Sequence, residues 1–336
     1  MSRFSIGVDL GGTNLRVAAI DESGKLIEKI STSTRVSAGR DEVLDEMCRA
    51  IQALATRFSS HGPLAGVGIG VPGIIDMERG MLRESPNLPG WDNYPVQQEI
   101  ERCLGTSITL ENDANAAAFG EHWLGAGQMV DSLCLLTLGT GVGGGIVLEN
   151  KIWHGMTGMA GEAGHINVDP DGHPCGCGSH GCIEQYASAT AIKRMAMEAI
   201  ATGKAPQLAQ AMKSDPEFSA KAVYNLAVQG DEPARQIFER AGRMLGIVLA
   251  GLVNLLNLPM YVIGGGVSSA WDGFAPAMLR EVQQRSFVYA ATNPEKTAKH
   301  RTIITRALLG TDAGLYGAAR LPLLAPEAIA KEAKPV

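Results

Sequence analysis

Phe4-Ser-Ile-Gly-Val-Asp-Leu-Gly-Gly-Thr-Asn-Leu-Arg-Val-Ala-Ala-Ile20 decides the fold. An apolar run, Phe4 to Val8, a polar glycine-rich break, Asp9 to Asn14, and a second apolar run, Leu15 to Ile20, read as strand, tight turn, strand. Asp21-Glu-Ser-Gly24 turns the chain again into Lys25 to Ser31, so the protein opens with a three-stranded meander. The pattern recurs near residue 140: Ser132 to Leu138, the turn Gly139-Thr-Gly-Val-Gly-Gly-Gly145, then Ile146 to Leu148. Two copies predict a duplicated α/β architecture with one phosphate-facing turn in each half, because side-chain-free turns bring backbone N–H groups close to phosphate oxygens.

Between the copies, apolar residues at Val43, Leu44, Met47, Ile51, Leu54 and Phe58 keep helical spacing over 41–60. Leu64 to Val71 and Ile108 to Leu110 read as strands, ending at Pro72-Gly73 and Glu111-Asn112-Asp113, with helices over 95–103 and 114–124. Sites in open α/β sheets lie beyond the carboxyl ends of strands, where Asp9, Gly73, Asn112 and Asp113 fall. Helices are expected at 187–201, 205–213, 218–228, 231–257, 273–285 and 313–320, with strands at Tyr261 to Ile263 and Thr302 to Arg306. The expected domains are 1–117 with about 303–325, and 118–302 carrying the cysteine loop, before a frayed tail, 326–336.

Composition narrows the class. The chain has 336 residues and 41 glycines, without a three-residue period and with only 16 prolines, so collagen-like and low-complexity readings fail. Residues 139–182 hold 13 of the glycines, which places the excess in the second turn and the cysteine loop. Lys and Arg number 29 against 35 Asp and Glu, a net charge of −6, the wrong sign for a non-specific nucleic-acid binder. Met1 to Gly12 shows no secretory h-region, so a cytoplasmic enzyme is expected. Met244 to Trp271 carries no charge, yet Asn254, Asn257, Pro259 and Gly264 to Gly266 break it into pieces short of the ~20 residues a membrane span needs. A buried helix and a buried strand are expected there.

His165, Cys175, Cys177 and Cys182 suit a closed tetrahedral Zn²⁺ site, with glycines at 176, 178 and 181 letting the backbone wrap the ion. His154, His173 and His180 compete as the fourth ligand. Cys175 and Cys177 are too close for easy pairing with each other. Cys48, Cys103 and Cys134 are left as buried thiols. Glu162 and Glu184 flank the cluster and could accept hydrogen bonds from a sugar's hydroxyls, or be solvated surface acids. Asp113 is the candidate proton acceptor for phosphoryl transfer to an alcohol, and equally a candidate N-cap for the helix over 114–124. Neither glycine turn is a Walker loop, since no Gly-Lys-Ser/Thr follows, nor a Rossmann fingerprint, since a strand follows each.

These residues together resemble the ROK family of sugar kinases and repressors, most closely its bacterial glucokinase branch. The resemblance runs through Asp9-Leu-Gly-Gly-Thr-Asn14, Pro72-Gly73, Pro86-Asn-Leu88, Glu111-Asn-Asp113, Leu138-Gly-Thr-Gly-Val-Gly-Gly-Gly145, Glu162-Ala-Gly-His165, Cys175-Gly-Cys177 and Gly181-Cys-Ile-Glu184. It implies a two-domain actin-like ATPase (ribonuclease H-like) fold, duplicated, with the active-site cleft between domains that close on the sugar. It further implies ATP-dependent phosphorylation of glucose at the 6-hydroxyl, with Asp113 as the base. Gly73, Asn87, Asn112, Glu162, His165 and Glu184 would meet the sugar, His165 serving zinc as well. Gly11, Gly12, Thr13 and Asn14 would form the first phosphate turn, Thr140 and Gly141 the second, and Gly265 and Gly266 the nucleotide wall. Asp9 would hold Mg²⁺, and Zn²⁺ would be structural. A kinase for N-acetylglucosamine, N-acetylmannosamine, fructose or mannose is the alternative. A DNA-binding repressor is disfavoured because the first strand begins by Phe4, leaving no room ahead for a helix-turn-helix. A homodimer or dimer of dimers is expected from the Ala-rich helical second half.

Overall fold

The computed structural model describes residues 2–297 and 299–324. The opening meander forms as expected: β1 (Phe4–Leu10), β2 (Asn14–Asp21) and β3 (Leu26–Ser33) are antiparallel neighbours. Helix α1 (Arg40–Arg57) buries Val43, Leu44, Met47, Ile51 and Leu54, the stripe its spacing predicts. Strand β4 (Leu64–Val71) runs parallel to β1. A hairpin of β5 (Ile74–Asp76) and β6 (Met81–Glu84) follows, too short to show an alternation in sequence. Helix α2 (Val96–Leu104), β7 (Ile108–Asn112) parallel to β4, and α3 (Asp113–Leu124) complete the first sheet, ordered β3–β2–β1–β4–β7.

The second copy comprises β8 (Leu133–Leu138), β9 (Val142–Leu148) and β10 (Lys151–Ile152). Helices α4 (Glu184–Ala187), α5 (Ala189–Ala201), α6 (Pro206–Ser214), α7 (Ala220–Val228) and α8 (Glu232–Leu256) lead to β11 (Met260–Gly264). Then come α9 (Trp271–Arg285), α10 (Phe287–Thr292), β12 (Ile303–Arg306) and α11 (Ala313–Arg320). The second sheet is ordered β10–β9–β8–β11–β12, with β11 parallel to both β8 and β12. Each sheet is thus a meander extended by two parallel strands, so the duplication read from the glycine turns holds at the level of topology. One boundary moves: β9 begins at Val142, so Gly143 to Gly145 are strand rather than turn. A Cβ on Gly144 would lie 2.2 Å from the Gly161 carbonyl oxygen, so glycine serves close packing there.

The chain divides into two compact units, Met1–Asp131 with Gly145–Ala160 and Asp312–Val336, and Ser132–Gly144 with Gly161–Thr311. In the first, Phe4, Ile6, Val8, Met47, Ile51 and Ile69 centre the core between the sheet and α1. Helix α11 approaches the other face of β1 and β4 at backbone distance. A Cβ on Gly68 would sit 1.9 Å from the Ala318 carbonyl oxygen, and one on Gly317 would sit 1.7 Å from that of Ala116 in α3. In the second unit, α8 starts at an Asp231 cap whose carboxylate accepts from the Ala234 N–H at 3.0 Å. The uncharged stretch expected as a buried helix and strand is the second half of α8, with Leu245, Leu249 and Val253 buried, followed by the buried β11. Among the described residues no helix is long and apolar enough to cross a membrane. The expected tail, 326–336, lies outside the described residues.

Cys48 and Cys134 are buried, whereas Cys103 is exposed, against expectation. Cys103 stands seven residues after Val96 and three after Ile100, on the same side of α2, but in the helix's last turn, where it stays exposed beside Cys48.

The α3–α11 crossing yields a direct test. Gly317→Ala forces a methyl into the Ala116 carbonyl, and overpacking of this kind costs about 1–3 kcal/mol. Thermal denaturation should show a lower midpoint; an unchanged midpoint would show that the helices can separate freely.

Candidate active site and metal centre

In the first unit, Asp9 stands at the end of β1, and the hairpin register sets it directly opposite Arg16. Arg16 Nη1 donates to Asp9 Oδ2 at 2.9 Å. Burial pushes the Asp9 carboxyl above its ordinary range; Arg16 works against that shift without cancelling it, and the charge of Asp312 adds to it. The turn after Asp9 closes through Gly11 N–H to Asn14 O at 2.8 Å. Thr34 pins it twice, its hydroxyl donating to Gly11 O at 2.7 Å and its N–H to Thr13 O at 2.8 Å. Gly12 packs on the backbone of Asn87, where a Cβ would come within 2.8 Å of the Asn87 carbonyl oxygen. Thr13, Asn14 and Asn87 are exposed.

The β7–α3 junction assigns the cap differently from the sequence reading. Asn112, not Asp113, caps α3: its Oδ1 accepts from the N–H groups of Ala114 at 2.9 Å and Asn115 at 3.1 Å. Asn112 Nδ2 also donates to Gly73 O at 3.1 Å. An Asp could accept the two helix N–H groups but could not make that third bond, which selects Asn for the cap. Gly73 adopts φ +117°, and a Cβ there would fall 2.2 Å from the Glu84 carbonyl oxygen, so only glycine turns the chain toward Asn112. Asp113 becomes the first helical residue, half-buried, with Oδ1 accepting from Ala114 N–H at 2.9 Å. Behind it Glu111 is 2% exposed. Its Oε1 accepts from Asn112 N–H at 2.9 Å and from Asn115 Nδ2 at 3.1 Å, and its Oε2 lies 2.7 Å from His154 Nε2.

In the second unit, the turn Gly139–Gly141 closes on itself at 2.9 Å between Gly139 N–H and Gly141 O. It is fastened to the start of α5 by Ala189 N–H to Gly139 O and by the Thr190 hydroxyl to Thr140 O, both 2.8 Å. Glu184 holds the other side, its Oε2 accepting from Val142 N–H at 3.0 Å. A Cβ on Gly141 would meet that same oxygen at 2.4 Å. At the end of β11, Gly265 takes φ +79° against the Leu138 backbone, while the Cβ direction of Gly266 opens into free space.

The cysteine loop brings the four expected donors together: His165, Cys175, Cys177 and Cys182 place their ligand atoms within 4.8 Å of one another. Cys175 Sγ lies 3.6 Å from His165 Nδ1, and Cys177 Sγ lies 3.7 Å from Cys182 Sγ. Tetrahedral geometry with Zn–S near 2.3 Å and Zn–N near 2.0–2.1 Å requires about 3.6 Å for S···N and about 3.8 Å for S···S. The donor set therefore fits such an ion. His154 is instead paired with Glu111, and the His173 ring nitrogen Nδ1 lies 2.9 Å from Pro174 O. His180 is tied into the loop through its backbone, in a β-bridge with Pro174. Burial and the neighbouring Cys175 and Cys177 push the Cys182 thiol up to about 12, whereas hydrogen bonds, the Ser179 backbone first, lower the Cys177 thiol toward the thiolate form that a divalent cation demands. Glu162 Oε2 lies 3.9 Å from His165 Nε2, the nitrogen turned away from the cysteines.

The sequence reading gives Arg16 and Thr34 no role, names Glu111 only within Glu111-Asn-Asp113 and offers His154 only as a rival metal ligand. Only Arg16 had a readable signal there, since counting outward from the glycine turn pairs it with Asp9.

The ROK family model matches residues 5–324. The chain is 38% identical over 317 residues to a glucokinase of Halalkalibacterium halodurans, covering 94% of this chain and 93% of that protein. It is 40% identical over 267 residues to a glucokinase of Thermotoga maritima, covering 80% and 83%. Among solved structures, a ROK family glucokinase from Streptomyces griseus in complex with glucose and AMPPNP superposes with a TM-score of 0.77 at 34% identity, over 95% of this chain and 98% of that one. With the expected actin-like fold, the glycine turns and the cysteine loop all in place, the chain belongs to the ROK family.

Proposed function

We propose that the protein is a glucokinase, transferring the γ-phosphoryl group of ATP to the 6-hydroxyl of glucose to give glucose 6-phosphate and ADP. The similarity to glucokinases over nearly the whole chain supports this reading most, and the β7–α3 junction supplies the chemistry. Phosphoryl transfer asks a protein mainly for positioning and charge stabilisation, with one group to accept the hydroxyl proton. Asp113 is that group. As the sugar oxygen forms its bond to the γ-phosphorus, the proton passes to the Asp113 carboxylate and the bond from γ-phosphorus to the bridging oxygen breaks, releasing ADP.

The hexose hydroxyls are met by Asn87, Asn112, Glu162, His165 and Glu184, beside the Gly73 backbone. Asn112 and Glu184 carry a second duty: one caps α3 and the other fastens the Gly139–Gly141 turn. The backbone of Gly11, Gly12, Thr13 and Asn14, that of Thr140 and Gly141, and that of Gly265 and Gly266 receive the nucleotide and its phosphates. Asp9 offers the hard carboxylate oxygen that suits Mg²⁺, which when bound offsets phosphate charge. His165, Cys175, Cys177 and Cys182 hold a structural Zn²⁺, since four protein ligands leave no open coordination position. We further place the enzyme in the cytoplasm as a homodimer or dimer of dimers, without nucleic-acid or membrane partners.

Asp113→Asn should lower kcat by about 10²–10⁴-fold, the usual worth of a general base. Glucose binding by calorimetry should persist, and near-normal turnover in a coupled ADP assay would sink the base assignment. Cys177→Ser, or removal of the metal by a chelator, should release stoichiometric zinc and weaken glucose binding together. Unchanged glucose affinity in the metal-free protein would separate the loop from the sugar. ATP-coupled assays over a panel of hexoses test the substrate, with glucose expected to give the highest kcat/KM.

A further inference from the structure

Glu111 is a carboxylate sealed inside the first unit, one residue before the cap of α3 and two before Asp113. Filling space beside β7 does not call for a carboxylate: an apolar side chain would do so without desolvating a charge. What the carboxylate adds is acceptor geometry. Both lone-pair directions of Oε1 are used within the junction itself, by Asn112 N–H and by the Asn115 side chain. Oε2 is left to His154, 43 residues along the chain and about one-third exposed.

His154 opens a loop that closes on itself, Ala160 N–H donating to His154 O at 3.1 Å, with Gly155 at φ +67° allowing the bend. The imidazole therefore approaches Glu111 from a fixed stem, not from a free side chain. The hydrogen bond of Glu111, and its charge with it, hold the His154 imidazole above its ordinary range against the opposing effect of burial. The sign of this coupling follows directly: the charged pair is fully present below the free-histidine value of about 6.5 and is lost as pH rises through the raised value.

On the reading of Asp113 as the base, we propose that Glu111 and His154 form a positioning clamp for the catalytic junction, Glu111 fixing the Asn112-Asp113 backbone from behind and His154 locking Glu111. Neither residue touches the reacting atoms. Their work is to keep the first turn of α3, and with it the Asp113 carboxylate, in a single placement, where an error of an ångström costs on the order of 10²-fold in rate.

The test uses the full chain with ATP and glucose. His154→Phe removes the bond to Glu111 and should cut kcat by roughly 10–100-fold while the glucose KM stays within about threefold. His154→Gln, which keeps an N–H able to reach Glu111, should recover most of kcat and lack the wild-type decline in kcat as pH rises through the His154 titration. Where the Phe variant does not fold, His154→Asn serves, being polar but too short to reach Glu111, with the same loss expected. A folded Phe or Asn variant with kcat within twofold of wild type overturns the clamp. Asp113→Asn run beside these separates the two ideas: an inactive Asp113→Asn with a wild-type His154→Phe removes the clamp alone, and an active Asp113→Asn removes the base and the clamp's purpose with it.

Discussion

The first unit depends on one close approach: α11 lies against β1, β4 and α3 at backbone distance. Gly7 and Gly68 leave no room between sheet and helix, where a Cβ would come 2.3 Å from Leu315 O or 1.9 Å from Ala318 O. Gly120 and Gly317 do the same between the two helices. Contacts this tight leave little freedom for sliding, because any tilt brings carbonyl oxygens into overlap. Functional groups inherit that precision. Gly314, at the start of α11, is near enough that a Cβ would sit 3.4 Å from the Asp9 carboxylate and 3.7 Å from Asp113 O. The end of β1 and the start of α3 are therefore held by a helix that comes from the other end of the chain.

Much of this was legible. Apolar runs broken by glycine-threonine turns located both hairpins, since few other arrangements reconcile buried strands with so abrupt a break. Helical stripes on α1 and α8 could be counted directly. What escaped was decided by choices local rules leave open. Asn112 and Asp113 are equally good caps by type, and only the carbonyl of Gly73, contributed from the end of β4, separates them. Gly143 to Gly145 look like turn residues, yet they lie in β9, where neighbouring backbone leaves no room for a Cβ on Gly144 or Gly145. Cys103 lies on the core-facing side of its helix, and only its place in the last turn leaves it exposed. The Glu111–His154 pair joins residues that no spacing rule connects.

The metal loop was legible for a different reason: its ligands must converge on one point, so spacing and residue type carry the information that elsewhere comes from packing. Its wider role was not. Cys182 lies two residues before Glu184, and Glu184 Oε2 holds the Val142 N–H at the end of the Gly139–Gly141 turn. Cys182 is also bridged to Asn167, just beyond His165. Within the second unit, one short path thus leads from the metal donors to the second glycine turn through a single carboxylate.

That path bears on what an ion bound by the four donors would do for the rest of the unit. A loop rich in glycine, from 172 to 181, has little apolar surface with which to fix its own shape, and glycine maximises the entropy lost on ordering. A tetrahedral ion bound there would supply the order that packing cannot. Cys182 is fully buried two residues before Glu184, at the start of α4, so an ion held by the four donors would fix the stem from which Glu184 reaches the turn. Burial holds that thiol in its protonated form; a divalent cation bound there would turn the same crowding of sulfurs into cohesion. The second glycine turn is held by Glu184, Ala189 and Thr190, as the first is held by the two hydrogen bonds of Thr34.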